Sequence, residues 1–214
     1  MVPFKEEEER MEKDVEERLI QICRSEIKML ELIFEGFRTL TEKSIKEADR
    51  VKEEVRRDSE ELARFVIEKS SNSEKGKEWA KPYLSMASSF DRMGYNMEGM
   101  VGRLASMLKE HILFSDRAVK EVNDIFQTAM DLLESLPDLI QTKNKLFAQH
   151  IGEQVRSILK IANGYSEEHE ERLIQGVCIP KSSPLYLGLI ESLKGIITHT
   201  LEVSGKIASL SPKS

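Results

Sequence analysis

The sequence is poor in the residues that carry most protein chemistry. Among 214 residues there are two cysteines, four histidines and one tryptophan, and aromatics make up only 6%. Cys23 and Cys178 have no CxxC partner and no neighbouring histidine in the sequence, which argues against zinc or dithiol chemistry. No run of about 18 apolar residues occurs, so no segment reads as a membrane span. The opening MVPFKEEEERMEK lacks an apolar core and does not read as a secretion signal. The expectation is a cytoplasmic protein with reduced thiols.

Positive charge is scarce as well. The formal net charge is −6, whereas a nucleic-acid binder needs clustered Lys and Arg to neutralise phosphates. The densest basic run, Arg50-Val51-Lys52-Glu53-Glu54-Val55-Arg56-Arg57, is interleaved with acids and reads as a solvated helix face. No Ser-His-Asp or Cys-His arrangement is legible. Gly94, Gly99 and Gly102 follow no strand and match neither GxGxxG nor a P-loop. Glycine inside a helix costs roughly 0.5–1 kcal/mol relative to alanine, so the three point to close helix–helix approach, which Gly205 repeats opposite Gly102. No enzyme is expected.

What the chain does have is helical composition. Charged residues make up 33%, and Pro82, Pro137, Pro180 and Pro184 stand where helices would begin or end. Apolar spacing predicts helices over 4–40, 43–70, from about Pro82 to 110, 114–136, 138–175 and 184–210. The first break falls near Gly36 or Thr39–Thr41. Residues 70–76 read as a polar loop, Ser115 as an N-cap, and Asn163-Gly164 as a turn interrupting the fifth segment.

The strongest pattern lies in residues 83–108. Met86, Phe90, Met93, Met97, Met100, Leu104 and Met107 follow at alternating steps of 4 and 3, which aligns them on one helix face. Shifted by 103 residues, the seam becomes Leu189, Leu193, Ile196, Thr200, Val203, Ile207 and Leu210. Off-seam residues match too: Tyr83-Leu84 with Tyr186-Leu187, and Gly102-Arg103-Leu104-Ala105-Ser106 with Gly205-Lys206-Ile207-Ala208-Ser209. A fainter echo sets Asp49-Arg50 opposite Glu171-Arg172. The chain therefore reads as an internal duplication: an all-α protein of two tandem three-helix bundles, 1–110 and 111–214. Five of the seven positions in the first seam are methionine. That fits an ordinary core, or a looser one that adapts to a partner.

With the duplication and the phrase Phe90-Asp91-Arg92-Met93-Gly94-Tyr95-Asn96-Met97-Glu98 in view, the chain resembles the PhoU family of phosphate-uptake regulators. Their third and sixth helices carry a phrase of the type Leu-Glu-Arg-Ile-Gly-Asp-His-Ala, which Arg92 and Gly94 match and in which Asp91 replaces the glutamate. Glu47-Ala48-Asp49-Arg50-Val51-Lys52 looks like the second-helix phrase of more distant relatives. The resemblance implies a cytoplasmic regulator of phosphate transport that touches a phosphate transporter or its sensor kinase. It would meet the membrane only through that partner, bind no nucleic acid, and possess the option of homo-oligomerisation.

The family's metal motif is a pair of acids four residues apart, one helical turn apart on one face. This chain departs from it. Asp91 is followed by Tyr95, Lys194 by Thr198, and Ile45 precedes Asp49; only Glu167 and Glu171 keep both acids. No cofactor is expected. The alternative is a divalent or iron ion, with Asp49, Asp91, Glu167, Glu171 and His169 as candidate ligands, in a metal-binding helical bundle built on the Glu167/Glu171 cluster. A helical adaptor unrelated to phosphate is a further alternative. His169 lies among glutamates and reads as part of a solvated acidic face, with its pKa raised by them. His199 reads as partly buried beside the seam. Asp91, Tyr95 and Asn96 are the candidate partner-binding residues.

Overall fold

The computed structural model describes residues 4–70 and 74–210, with side chains from residue 10 onward. Seven α-helices follow one another among the described residues: α1 (Phe4–Thr39), α2 (Glu42–Lys69), α3 (Glu74–Glu110), α4 (Asp116–Glu134), α5 (Leu136–Thr142), α6 (Lys145–Ile174) and α7 (Ser183–Ser209). A single 3-10 turn, Pro180–Ser182, leads into α7. Six helices are long; α5 has 7 residues and acts as an elbow. The six long helices form the two tandem triplets that the sequence implies, α1–α3 and α4, α6, α7.

Local chemistry sets most boundaries. Leu40 adopts a left-handed φ of 46° while its amide still reaches the Gly36 carbonyl at 2.9 Å. α1 therefore ends inside the predicted Thr39–Thr41 segment. Ser115 caps α4 as its sequence position predicts, its Oγ accepting from the Ala118 amide at 3.3 Å.

Two predicted boundaries are corrected. α3 begins at Glu74, with Pro82 inside the helix, although proline there supplies no N–H to the Glu78 carbonyl. The ion pairs Glu74–Lys77 and Glu78–Lys81 brace the added turns, and Trp79 packs on Tyr83 with ring centroids 5.2 Å apart. Residues 71–73 of the predicted polar loop lie outside the described residues. In the second triplet the break falls at Lys143–Asn144, not at Asn163-Gly164. Lys143 is left-handed at φ 48°, and Asn144 Oδ1 accepts from the Leu146 and Phe147 amides at 2.9 and 3.2 Å. Gly164 continues as helix with open space around it.

The two seams meet in the centre. All seven residues of the α3 seam are at most 2% exposed, and so are Leu189, Leu193, Ile196, Thr200, Val203 and Ile207 of α7. Thr200 Oγ1, the polar break in the second seam, donates to the Ile196 carbonyl at 2.9 Å and faces Met93 Sδ at 3.6 Å. Its hydroxyl is thereby satisfied within its own helix. Buried apolar residues from both triplets join in one continuous core. α1 braces the second triplet through Phe34 and Phe37, which pack on Phe126 at 5.0 and 5.7 Å. Lys143 Nζ adds an ion pair to Glu16 at 2.7 Å.

The glycine expectation is only partly met. A Cβ on Gly94 would sit 3.0 Å from Val55 Cγ1, so α2 and α3 do approach closely there. Gly102 and Gly205, the repeated pair, are exposed with nothing within 4 Å, so their recurrence does not reflect close packing. Because Met97 is fully buried, Met97→Asp should lower unfolding free energy by roughly 4 kcal/mol. Urea denaturation of the two proteins measures this, and equal midpoints would place Met97 at the surface.

Candidate functional site

The α2–α3 face is built by helix periodicity. Asp91, Tyr95 and Glu98 recur at helical spacing on the side of α3 away from the seam, and Asp49, Lys52 and Arg56 do so on α2. Asp91, Tyr95, Glu98, Lys52 and Arg56 border an open depression of about 310 Å³ over Val55 and Gly94, and Asp49 joins them through its ion pair with Lys52. Lys52 Nζ lies 3.2 Å from Asp49 Oδ1 and 3.2 Å from Glu98 Oε1. Hydrogen bonds to Asp49 and then Glu98 raise the Lys52 pKa, so the ammonium stays charged between two carboxylates. Arg56 pairs with Glu53 and Glu60. Asp91 is exposed as expected, and Tyr95 is 77% exposed.

Asn96 is placed differently from its expected role. Its Nδ2 donates to the Arg92 carbonyl at 2.8 Å, and its amide packs against Gly195 of α7, where a Cβ would come within 2.7 Å. It belongs to the α3–α7 contact rather than to the Asp91–Tyr95 face.

Beneath this face lies a group that the sequence reading missed. Glu26 of α1 is fully buried, and both its carboxylate oxygens lack a hydrogen-bond partner among the described residues. Burial first, and the charge of Asp91 second, push its pKa well above the usual carboxylate range. A carboxyl raised in the folded state favours folding below its unfolded pKa, and that contribution is lost as pH rises through the folded value. Glu26→Gln should therefore gain stability relative to the parent as pH rises above about 4.5. Urea midpoints across that range measure it, and parallel curves for the two proteins would count against a buried proton on Glu26.

The acidic stretch of α6 divides in two. Glu167 and Glu171 are exposed, whereas His169 is only 2% exposed. The imidazole faces away from the glutamates: Nε2 lies 2.9 Å from Ser183 Oγ, and the ring stacks on Tyr186 at 4.3 Å. Burial, then Arg172, lowers its pKa, the reverse of the shift expected from the neighbouring acids. Asp49, Asp91, Glu167, Glu171 and His169 are thus not drawn to one point, and among the described residues no three His, Cys, Asp or Glu side chains converge in metal-binding geometry.

The same face of α6 carries a buried ion pair. Arg172 Nη1 and Nη2 donate to Glu121 Oε1 and Oε2 at 2.9 and 2.7 Å. Tyr186 Oη donates to Oε2 at 2.6 Å, and Arg117 Nε to Oε1 at 3.0 Å. Burial alone would raise the Glu121 pKa, but the Arg172, Tyr186 and Arg117 hydrogen bonds outweigh it and hold the pKa low. The echo pairing Arg50 with Arg172 does not extend to environment, since Arg50 is exposed. A Glu on α4 followed some 50 residues later by a basic residue carries no recognisable spacing, so the pair was not legible. The thiol of Cys178 also comes near a histidine, 3.9 Å from His169 Nδ1, which their sequence separation hides.

Glu121→Ala would leave Arg172 buried beside no carboxylate acceptor of comparable geometry, at a cost of about 3–5 kcal/mol. Glu121→Ala/Arg172→Met should cost less than the single change. Chemical denaturation of both variants decides, and a double variant less stable than the single one would contradict this account.

Comparison with known proteins gives structural likeness only. No protein-family profile matches the chain, and no curated protein matches it in sequence. The phosphate transport system regulatory protein PhoU from Streptococcus pneumoniae superposes with a TM-score of 0.75 at 14% identity, over 93% of this chain and 94% of that one. PhoU from Pseudomonas aeruginosa superposes with a TM-score of 0.83 at 10% identity, over 93% of this chain and 96% of that one. The chain has the PhoU fold over nearly its whole length.

Proposed function

We propose that the protein is a PhoU-like cytoplasmic regulator of phosphate transport, not an enzyme, that acts by pressing a helix face against a transporter component or its sensor kinase. The supporting observation is the likeness to two PhoU structures over 93% of the chain. Because that likeness is one of fold at 10–14% identity, the phosphate connection rests on analogy of architecture.

The α2–α3 face suits such a contact. Tyr95 presents a largely exposed ring inside a border of Lys52, Arg56, Asp91 and Glu98, and an aromatic anchor within a polar rim is the usual anatomy of an energetic hot spot. Lys52 pairs with both Asp49 and Glu98, so part of the negative charge of this face is offset from within the chain. Loss of the protein should alter phosphate uptake in the cell that makes it. Wild-type protein should restore uptake control, whereas Asp91→Arg/Tyr95→Ala should restore little while melting near the parent temperature. Radiolabelled phosphate uptake reads this; uptake indifferent to loss of the protein would remove the phosphate assignment, and full rescue by the double variant would remove the α2–α3 face.

A further inference from the structure

Three features meet at the sulfur of Cys178. After α6 the chain reverses through Gly176, whose φ of 71° suits glycine. The Val177 and Cys178 amides then return to the Arg172 carbonyl at 2.9 and 3.3 Å. This turn fixes Cys178 beside the last turns of α6. His169 Nδ1 is 3.9 Å from the sulfur, and the ring is held from its other nitrogen by Ser183. Arg172, whose carbonyl takes both amides, is 8% exposed and turns its guanidinium to Glu121. In front of the sulfur lies a cavity of about 230 Å³, walled by Leu113, Phe114, Val177, Ile179 and Tyr186.

We infer that Cys178 is a thiol-modification site that exchanges with a small, largely apolar disulfide whose organic arm lodges in this cavity. With Nε2–H donated to Ser183, His169 Nδ1 carries the lone pair that takes the thiol proton. The lowered His169 pKa keeps the imidazole in its neutral, accepting form. The sulfur attacks one sulfur of the disulfide, and the new S–S bond forms as the old one breaks. The departing thiolate recovers the proton from His169. The disulfide is the oxidant and is reduced to one free thiol while Cys178 is oxidised to the mixed disulfide. The adduct would lie beneath the exposed lip of Leu113, Val177 and Ile179, which are 69%, 68% and 66% exposed, and would change the shape of that end of the molecule.

Cys23 provides an internal control, since it is fully buried and burial pushes its thiol pKa up. The test treats the folded protein with 2,2′-dithiodipyridine, an uncharged aromatic disulfide, and with its dianionic counterpart, dithiobis(nitrobenzoate). One thiol should react quickly and map to Cys178. It should react roughly tenfold or more faster than the same cysteine in a free peptide spanning 174–182, and faster with the uncharged reagent once each rate is divided by that reagent's rate with the peptide. Cys23→Ser should leave the rate unchanged, and His169→Gln should remove most of the advantage over the peptide. A protein rate no greater than the peptide's, labelling of Cys23 first, preference for the dianionic reagent, or an unchanged rate in folded His169→Gln would each overturn the assignment. Should His169→Gln fail to fold, the ratio of parent protein to peptide still decides.

Discussion

The packing of α3 against α7 is the constraint to which the other helices answer. Each contributes one unbroken apolar ridge, and the ridges bury each other along almost their whole length. A ridge of that length has no stable alternative in water, because exposing it would forfeit apolar burial at every turn. The remaining helices fill the two sides: α1 and α2 against α3, α4 and α6 against α7. α1 also crosses to the other side through Phe34 and Phe37 on Phe126. The triplets therefore share a core instead of holding one each, and a perturbation in one seam is felt in the other through contacts such as Met93 with Thr200.

Two acids inside this framework show opposite solutions to the burial of charge. Glu121 is surrounded by donors from α4, α6 and α7, so its ionised form is held in place and ties three helices at one point. Glu26 has no such donors among the described residues, and the neighbouring charge of Asp91 adds repulsion. The first arrangement specifies the register of its helices. The second stores a cost that the surrounding apolar packing must outweigh.

Features of short range were readable in the sequence. The seam was visible because Met86 to Met107 keep helical spacing without interruption, and the Ser115 cap and the Thr39–Thr41 break follow from local turn chemistry. The exposed placement of Asp91 and Tyr95 follows from their position opposite the seam. Errors arose where tertiary contact overrode local preference. Pro82 reads as a helix start, yet Trp79 packing on Tyr83 and two i,i+3 ion pairs accompany a helix that begins earlier. Asn163-Gly164 reads as a turn, yet α6 runs through it to bury His169 and Arg172. His169 reads with its glutamate neighbours because sequence adjacency ignores helix rotation, which turns it inward while Glu167 and Glu171 stay in water. The Glu121–Arg172 and Cys178–His169 meetings depend on how helices are set beside one another, and no spacing rule encodes that.

Lys52 gives the α2–α3 face an unusual permanence. Its ammonium sits between Asp49 and Glu98 on a side chain covalently joined to α2, so this counter-ion cannot diffuse away. A freely exchanging ion would leave the surface whenever its concentration fell, changing the local field with the composition of the medium. A tethered one keeps its place at any such concentration. The positive charge that Lys52 brings to that face is therefore written into the polypeptide.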